Sequence, residues 1–311
     1  MNISVIIPVY NAAEFLEKAV DSALQFEEVK EIVFIEDKST DNSLEICQKL
    51  ALKDSRIKLY QHPDKENHGA GASRNLGLEK ASCEFISFLD SDDYYLPNRF
   101  DAEKDAFKDE KIEGTFGAIG VEYLTEKGKR EFEEKFKNIS LTTVHFPAEG
   151  NEVFLGLLGL LPKVFGTFFH LNALTIRKSA LVKNNLRFNE KLRVHQDSDF
   201  ITKLAYHCHL KSGIIDQAIA IRGVHDNNRI TKIVRYSPQY NERQLLLWTS
   251  MNDWAKVNTL SSEAKRKIYL TYKSFDLALK KGFSKYSTLM VEVMKNPTIL
   301  KTQYRFTYLN R

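Results

Sequence analysis

The chain opens by switching its hydrophobic period repeatedly, and that alternation limits its fold more than any other feature. "ISVIIPV" at 3–9 is a continuous β-branched run, the pattern of a strand buried on both faces. In "AEFLEKAVDSALQF" the residues Phe15, Leu16, Ala19, Val20, Ala23 and Leu24 share one helical stripe. The exchange then continues, with "EIVFIE", "IKLYQ" and "EFISFLD" as strands and "DNSLEICQKLALKD" and "GASRNLGLEKA" as helices. Strand–helix units of this length predict an α/β fold with a doubly wound, mostly parallel sheet.

Beyond residue 100 the signals change. "EKGKREFEEKFKN" at 126–138 reads as a solvated connection or a surface helix, and "TFFHLNALTIRKSALV" at 167–182 as a strand leading into a helix. From about 235 the pattern is helical, in "YNERQLLLWTSMNDWAKV", "SEAKRKIYLTYKSFDLALKK" and "KYSTLMVEVMK". The expected organisation is an α/β domain over 1–230 and a helical extension over 235–311. The apolar run "VFLGLLGLLPKVFGTFF" is broken by Pro162 and Lys163, so it predicts a buried helix end and loop instead of a membrane span.

A formal net charge of +4 fits an anionic small ligand or contact with an acidic membrane, and argues against a dedicated nucleic-acid binder. Cys47, Cys83 and Cys208 are too few and too scattered for a disulfide framework or a zinc site. "MNISVIIPVYN" enters a strand without a basic leader or cleavage site, which predicts a cytoplasmic chain.

In open parallel sheets, ligands sit beyond the carboxyl ends of the strands. The polar residues of this chain gather at those ends. The first strand ends in Pro8, Tyr10 and Asn11; the second in Glu36, Asp37, Ser39 and Asp41. The third runs into "HPDKENHGAGASRN", and the fourth into Asp90, Ser91, Asp92 and Asp93. Carboxylates packed this closely repel one another unless a cation belongs among them.

Taken together, "SVIIPVYN", "EIVFIEDKSTDNS", "GAGASRNLGLEKASCEFISFLDSDD" and "HQDSDF" resemble a family 2 glycosyltransferase of the GT-A fold. The likeness is strong over residues 3–100 and looser over 167–230. It implies a donor half at about 1–100 and an acceptor half at about 140–230. Asp90-Ser91-Asp92 resembles the family's DxD motif, which implies Asp90 at the donor's ribose, Ser91 among the donor-binding residues and Asp92 on a Mn²⁺ or Mg²⁺ ion. Such a hard ion offsets charge on a diphosphate leaving group. Asp93 is either a group behind the metal ligands or a helix cap. The resemblance also implies that Asp37 accepts from uracil N3–H, that Pro8, Tyr10 and Asn11 line the base, and that Arg74 contacts the nucleotide. Glu36 and Lys38 depart from the family's usual Asp and Gly.

"HQDSDF" resembles the motif holding the general base, which implies Asp197 in that role with Asp199 as the alternative; Gln196 stands where a Glu is usual. "IRGVHDNNR" at 221–229 resembles a segment that closes over the diphosphate, which implies His225 as a further metal or phosphate group. Arg222 stands three residues before it, where the family pattern has two. The implied activity is inverting transfer from a UDP-sugar to a hydroxyl of a glycan or lipid-linked acceptor, as in surface polysaccharide assembly. A nucleotidyltransferase would show a basic Gly-rich N-terminal loop, which "PVYNAAEF" lacks; a non-catalytic sugar-nucleotide binding module is the other alternative. Lys and Arg interleaved with aromatics in "EAKRKIYLTYKSF" raise peripheral membrane contact on the cytoplasmic face, or a homodimer, through the C-terminal helices.

Overall fold

The computed structural model describes residues 1–136, 140–166, 168–226 and 234–309. Its strands are β1 (Ile3–Val9), β2 (Val29–Glu36), β3 (Ile57–Gln61), β4 (Phe85–Phe88), β5 (Tyr94–Tyr95), β6 (Gly114–Phe116), β7 (Ala118–Tyr123), β8 (Leu174–Arg177), β9 (Leu210–Ser212) and β10 (Ala218–Val224). Seven of them form one sheet in the order β3-β2-β1-β4-β8-β6-β9, and β5-β10-β7 form a small second sheet. In the large sheet β1 pairs in parallel with both β2 and β4, and β2 with β3. β8 enters antiparallel between β4 and β6, and β9 then pairs in parallel with β6. The sheet is thus mixed but mostly parallel, as the alternating pattern predicts. β1 lies inside it, which is why its β-branched residues are buried on both faces.

The helices follow the same logic. α1 (Leu16–Leu24) buries Leu16, Ala19, Val20 and Ala23, the stripe expected from the sequence. α2 (Ser43–Lys53) follows β2, and α3 (Ala70–Lys80) is buried on most of its surface, through Gly71, Ala72, Ser73, Arg74, Asn75, Gly77 and Leu78. Small residues permit that closeness: a Cβ at Gly77 would collide with Cγ2 of Ile6 on β1. α4 is Asp101–Ala106 and α5 is Glu126–Lys135. The charged stretch therefore forms a helix, capped by Thr125, which accepts from Gly128 N at 3.0 Å; Lys137 and Asn138 lie outside the described residues. The apolar run past 150 yields only α6 (Asn151–Leu157), and among the described residues no helix is long and apolar enough to cross a membrane. α7 (Lys178–Lys183) follows β8, and α8 (Gln196–His207) carries "QDSDF".

Two compact units result: Met1–Arg193 with Phe200–Thr231, and Val194–Asp199 with Lys232–Arg311. The core of the first joins Ile3, Val5, Ile7, Val9, Leu16, Val20, Phe34 and Phe100. The second contains α9 (Pro238–Val257), α10 (Ser262–Leu279), α11 (Gly282–Lys295) and α12 (Phe306–Leu309). Ser237 caps α9 by accepting from Tyr240 N, and Ser261 caps α10 by accepting from Ala264 N. A small core of Leu270, Leu277, Ile299 and Tyr308, with Leu289 and Val293 against it, holds the end of this unit together.

The first unit contains a fully buried ion pair, Arg99 with Glu103. Arg99 sends Nη1 to Glu103 Oε1 at 2.5 Å and Nε to the carbonyl of Asn172 at 2.8 Å. Its Nη2 reaches Ser87 Oγ at 2.8 Å and the Leu174 carbonyl at 3.1 Å. The guanidinium thus ties α4 to β4 and to the start of β8. Removing one partner of a buried pair leaves the other uncompensated. Arg99→Met is expected to lose about 3–5 kcal/mol of stability in urea unfolding, and Arg99→Met with Glu103→Leu to recover most of it. A double variant no more stable than the single one would contradict this account.

Candidate active site

The loops after β1 and β2 are stitched together by side chains. Asn11, in a left-handed conformation (φ 50°), accepts from Thr40 N at 2.7 Å, while its own N–H donates to Ser39 Oγ at 3.1 Å. Ala13 N donates to Asp41 at 3.1 Å and Ala12 N to Ser43 Oγ at 2.9 Å. Glu36 is buried and accepts from Ser39 N at 2.5 Å and Gln61 Nε2 at 2.6 Å, so the family's atypical Glu serves here as a loop brace. Tyr10 leaves the strand end with 44% of its surface exposed, and Pro8 beside it is half-buried.

Asp37 is buried, and the loop between β3 and α3 folds onto it. His68 N donates to Oδ1 at 2.7 Å, and Gly69 N and Asn67 Nδ2 donate to Oδ2 at 2.7 and 3.0 Å. A carboxylate offers about four lone-pair sites, which leaves room for one further donor. His62 lies behind, its Nε2 3.6 Å from Asp37, and its ring packs on His68 with centroids 4.4 Å apart. Burial and then the neighbouring His68 hold His62 below the usual histidine range.

The acidic loop after β4 is enclosed from three directions. From α3, buried Arg74 places Nη2 2.5 Å from Asp90 Oδ1, and its buried Nε has no hydrogen-bond partner among the described residues. From the turn before β8, Asn172 accepts from Asp90 N at 3.1 Å and donates Nδ2 to Asp93, while His170 Nε2 stands 3.9 Å from Asp90 Oδ2. From β10, Gly223 N donates to Asp93 Oδ1 at 2.9 Å, and His225 Nε2 lies 3.2 Å from Asp92 Oδ2. A Cβ at Gly223 would strike the Asp92 carbonyl, so glycine is what lets β10 come this close.

The carboxyls of this loop diverge in their proton affinity. Burial pushes Asp90 up, but Arg74, His170 and Arg222 outweigh it and hold it below the usual range. Burial, reinforced by Asp92 and Asp90, drives Asp93 well above that range, and Arg222 and Gly223 only partly oppose it. Asp90, Asp93 and His170 each offer a ligand atom, all within 4.8 Å of one another. This set of carboxylate oxygens and an imidazole, with like charges awaiting a counter-charge, fits a hard divalent ion. Asp92 and His225 form a second adjoining pair of donors.

"HQDSDF" begins α8, after His195 in a left-handed conformation (φ 63°). Asp197 is half-buried and accepts from Ser198 N at 2.9 Å. Asp199 is fully buried and accepts from Ser250 Oγ at 2.7 Å, a tie to α9. Of "IRGVHDNNR", residues Asn227–Arg229 lie outside the described residues.

His170, Asn172 and His62 escaped the sequence reading. "HLN" carries no motif by itself; its only signal is a cluster of polar residues abutting a predicted strand.

Comparison with known proteins decides the family. Residues 4–155 match Glycosyl transferase family 2. Residues 4–155 are thus a glycosyltransferase family 2 domain. It is 30% identical over 210 residues to a cholesterol galactosyltransferase of Borreliella burgdorferi, covering 65% of this chain and 54% of that protein. The minor teichoic acid biosynthesis protein GgaA of Bacillus subtilis is 29% identical over 210 residues, 65% of this chain and 42% of its own. The chain thus spans about half or less of these curated relatives. Residues 1–349 of S. aureus TarS in complex with UDP-GlcNAc share the fold with a TM-score of 0.63 at 20% identity, over 99% of this chain and 87% of that one.

Asn172 holds this family 2 loop from the side. Asn172→Ala is expected to lower unfolding stability by about 1–3 kcal/mol, because the Asp90 N–H and Asp93 each lose a partner. The isosteric Asn172→Asp, which adds a carboxyl to the cluster, should be worse still by the same denaturation measurement. An Asp variant as stable as the wild type would show that the amide does not hold the loop.

Proposed function

We propose that this family 2 protein is an inverting glycosyltransferase that moves a sugar from a UDP-sugar to a hydroxyl of a glycan or lipid-linked acceptor. The observation that carries the reading is the enclosed acidic loop at the strand ends, set against an arginine whose buried Nε has no partner among the described residues. A nucleotide diphosphate matches both features. Its oxygens or base carbonyl answer Arg74, and its negative charge calls for the cation that the carboxylates favour. In this reading residues 1–230 form the catalytic domain and 235–311 a helical extension.

The donor side follows from the residues present. The exposed ring of Tyr10, with Pro8 and Asn11, provides a face for the base. Asp37 has room for one donor beyond its loop N–H groups, the place for uracil N3–H. Asp90 and Ser91 take the ribose side. Asp92 with His225, next to Asp90, Asp93 and His170, would hold Mn²⁺ or Mg²⁺. When bound, that ion supplies positive charge against the diphosphate.

On the acceptor side, Asp197 is the proposed base; Asp199 is spent on Ser250 and is fully buried. Asp197 takes the proton of the acceptor hydroxyl as its oxygen bonds to the anomeric carbon. The bond from that carbon to the donor phosphate oxygen breaks, its electron pair leaving with UDP. A single displacement inverts the anomeric centre through an oxocarbenium-like transition state. The names of the relatives, one a cholesterol galactosyltransferase and one a teichoic acid protein, support hydroxyl acceptors of either lipid or polymer type.

UDP with Mn²⁺ or Mg²⁺ is expected to raise the melting temperature more than GDP, ADP or CDP do; ligand at 100 times its Kd adds about 2.7 kcal/mol of stability. Equal shifts from all four would end the uridine assignment. The base is tested separately. Asp197→Asn should retain UDP binding and lower kcat by on the order of 10²–10⁴. Asp92→Asn should instead weaken UDP binding and make it insensitive to added metal. Wild-type turnover by Asp197→Asn would place the base elsewhere.

A further inference from the structure

The tail distributes its apolar residues differently from what its sequence suggests. In "EAKRKIYLTYKSF" on α10 the apolar side faces inward: Ala264, Ile268, Leu270 and Phe275 are buried, and Tyr269 donates to Glu292 at 2.9 Å. That segment is the core of its unit and offers no apolar face to a partner. α11 does. Its Leu289 and Val293 pack on the core, yet Phe283, Tyr286, Met290 and Met294 form a second stripe on another side of the same helix. The spacing of three, four and four residues aligns them along the axis. All four are exposed, Phe283 to 87% and Met294 to 71%. Soluble proteins scatter exposed apolar residues singly; an aligned row of large ones marks a surface that is covered in use.

Charge identifies what covers it. From residue 281 to 309 the sequence holds Lys281, Lys285, Lys295, Lys301 and Arg305 against a single acid, Glu292. Glu292 is itself buried and engaged by Tyr269, so the surface of this segment is cationic. A two-fold contact with a second copy would set this patch against itself, cation to cation. An anionic bilayer surface answers both features at once, taking the apolar stripe into the acyl boundary and the lysines among acidic headgroups. From this we infer that α11 docks the protein on anionic membranes, lying in the interface on Phe283, Tyr286, Met290 and Met294. The inference stands apart from which sugar is transferred, and it brings the domain to the level where a lipid-bearing acceptor is found.

The test is flotation of the full chain with vesicles of phosphatidylcholine alone or mixed with phosphatidylglycerol. The wild type should float with the mixed vesicles only, and added salt should release it. Phe283→Ser with Met294→Ser should keep the melting temperature, since both side chains are exposed, and bind the mixed vesicles roughly tenfold or more weakly. Lys281→Gln with Lys285→Gln and Lys295→Gln should lose the salt-sensitive part of binding. Three results would overturn the inference. The wild type could fail to float with either vesicle, or the serine variant could bind as well as the wild type. Sedimentation could also show a wild-type dimer that the serine variant dissolves, with no vesicle binding, which assigns the stripe to a second copy.

Discussion

Repulsion among three carboxyls set within four consecutive positions is the constraint around which the strand-end site is arranged. Asp90, Asp92 and Asp93 cannot all hold charge in a partly buried loop without compensation, and compensation arrives from separate parts of the chain. Arg74 comes from a helix, His170 and Asn172 from the turn before an antiparallel strand, and Gly223 and His225 from the second sheet. Each is far from the loop in sequence. The mixed sheet order, with β8 inserted beside β4 and β10 paired to β5, is what delivers them. In the proposed function a cation would finish the neutralisation that these protein groups begin.

The first hundred residues were largely legible because their signals are local. β-branched runs, helical stripes and polar residues at strand ends all reveal themselves within a few positions, and β1, α1 and α3 follow them. What stayed hidden depends on pairings over long separations. Nothing in "FHLNAL" foretells that β8 will pack antiparallel to β4 and present Asn172 between Asp90 and Asp93. The role of Glu36 was also unreadable: as a sequence departure it weakens the family pattern, whereas in three dimensions it braces Ser39 and Gln61. The resemblance favours Asp197 over Asp199 in "QDSDF", and the burial of Asp199 against Ser250 adds a physical distinction the sequence does not carry.

The tail shows the reverse case. Sequence periodicity identified its helices but not which faces they turn inward, since α10 and α11 both mix lysines with large apolar residues. A helix with one apolar face packs once; α11 has two, and only the fold reveals that one of them is left over. Burial of its lone acid, Glu292, likewise turns a nearly balanced-looking helix into a cationic surface.

The close seating of α3 on β1 has a consequence for how ligands are received. A Cβ at Gly77 would meet the Ile6 side chain, so the helix backbone lies directly against the sheet at that point. Arg74 is therefore carried on a closely seated helix, and burial and its pairing with Asp90 restrict its rotamers before any ligand arrives. Whatever anion it meets encounters a receptor that needs little rearrangement. Selectivity among anions at Arg74 then depends on fit to a group already held in place by Asp90.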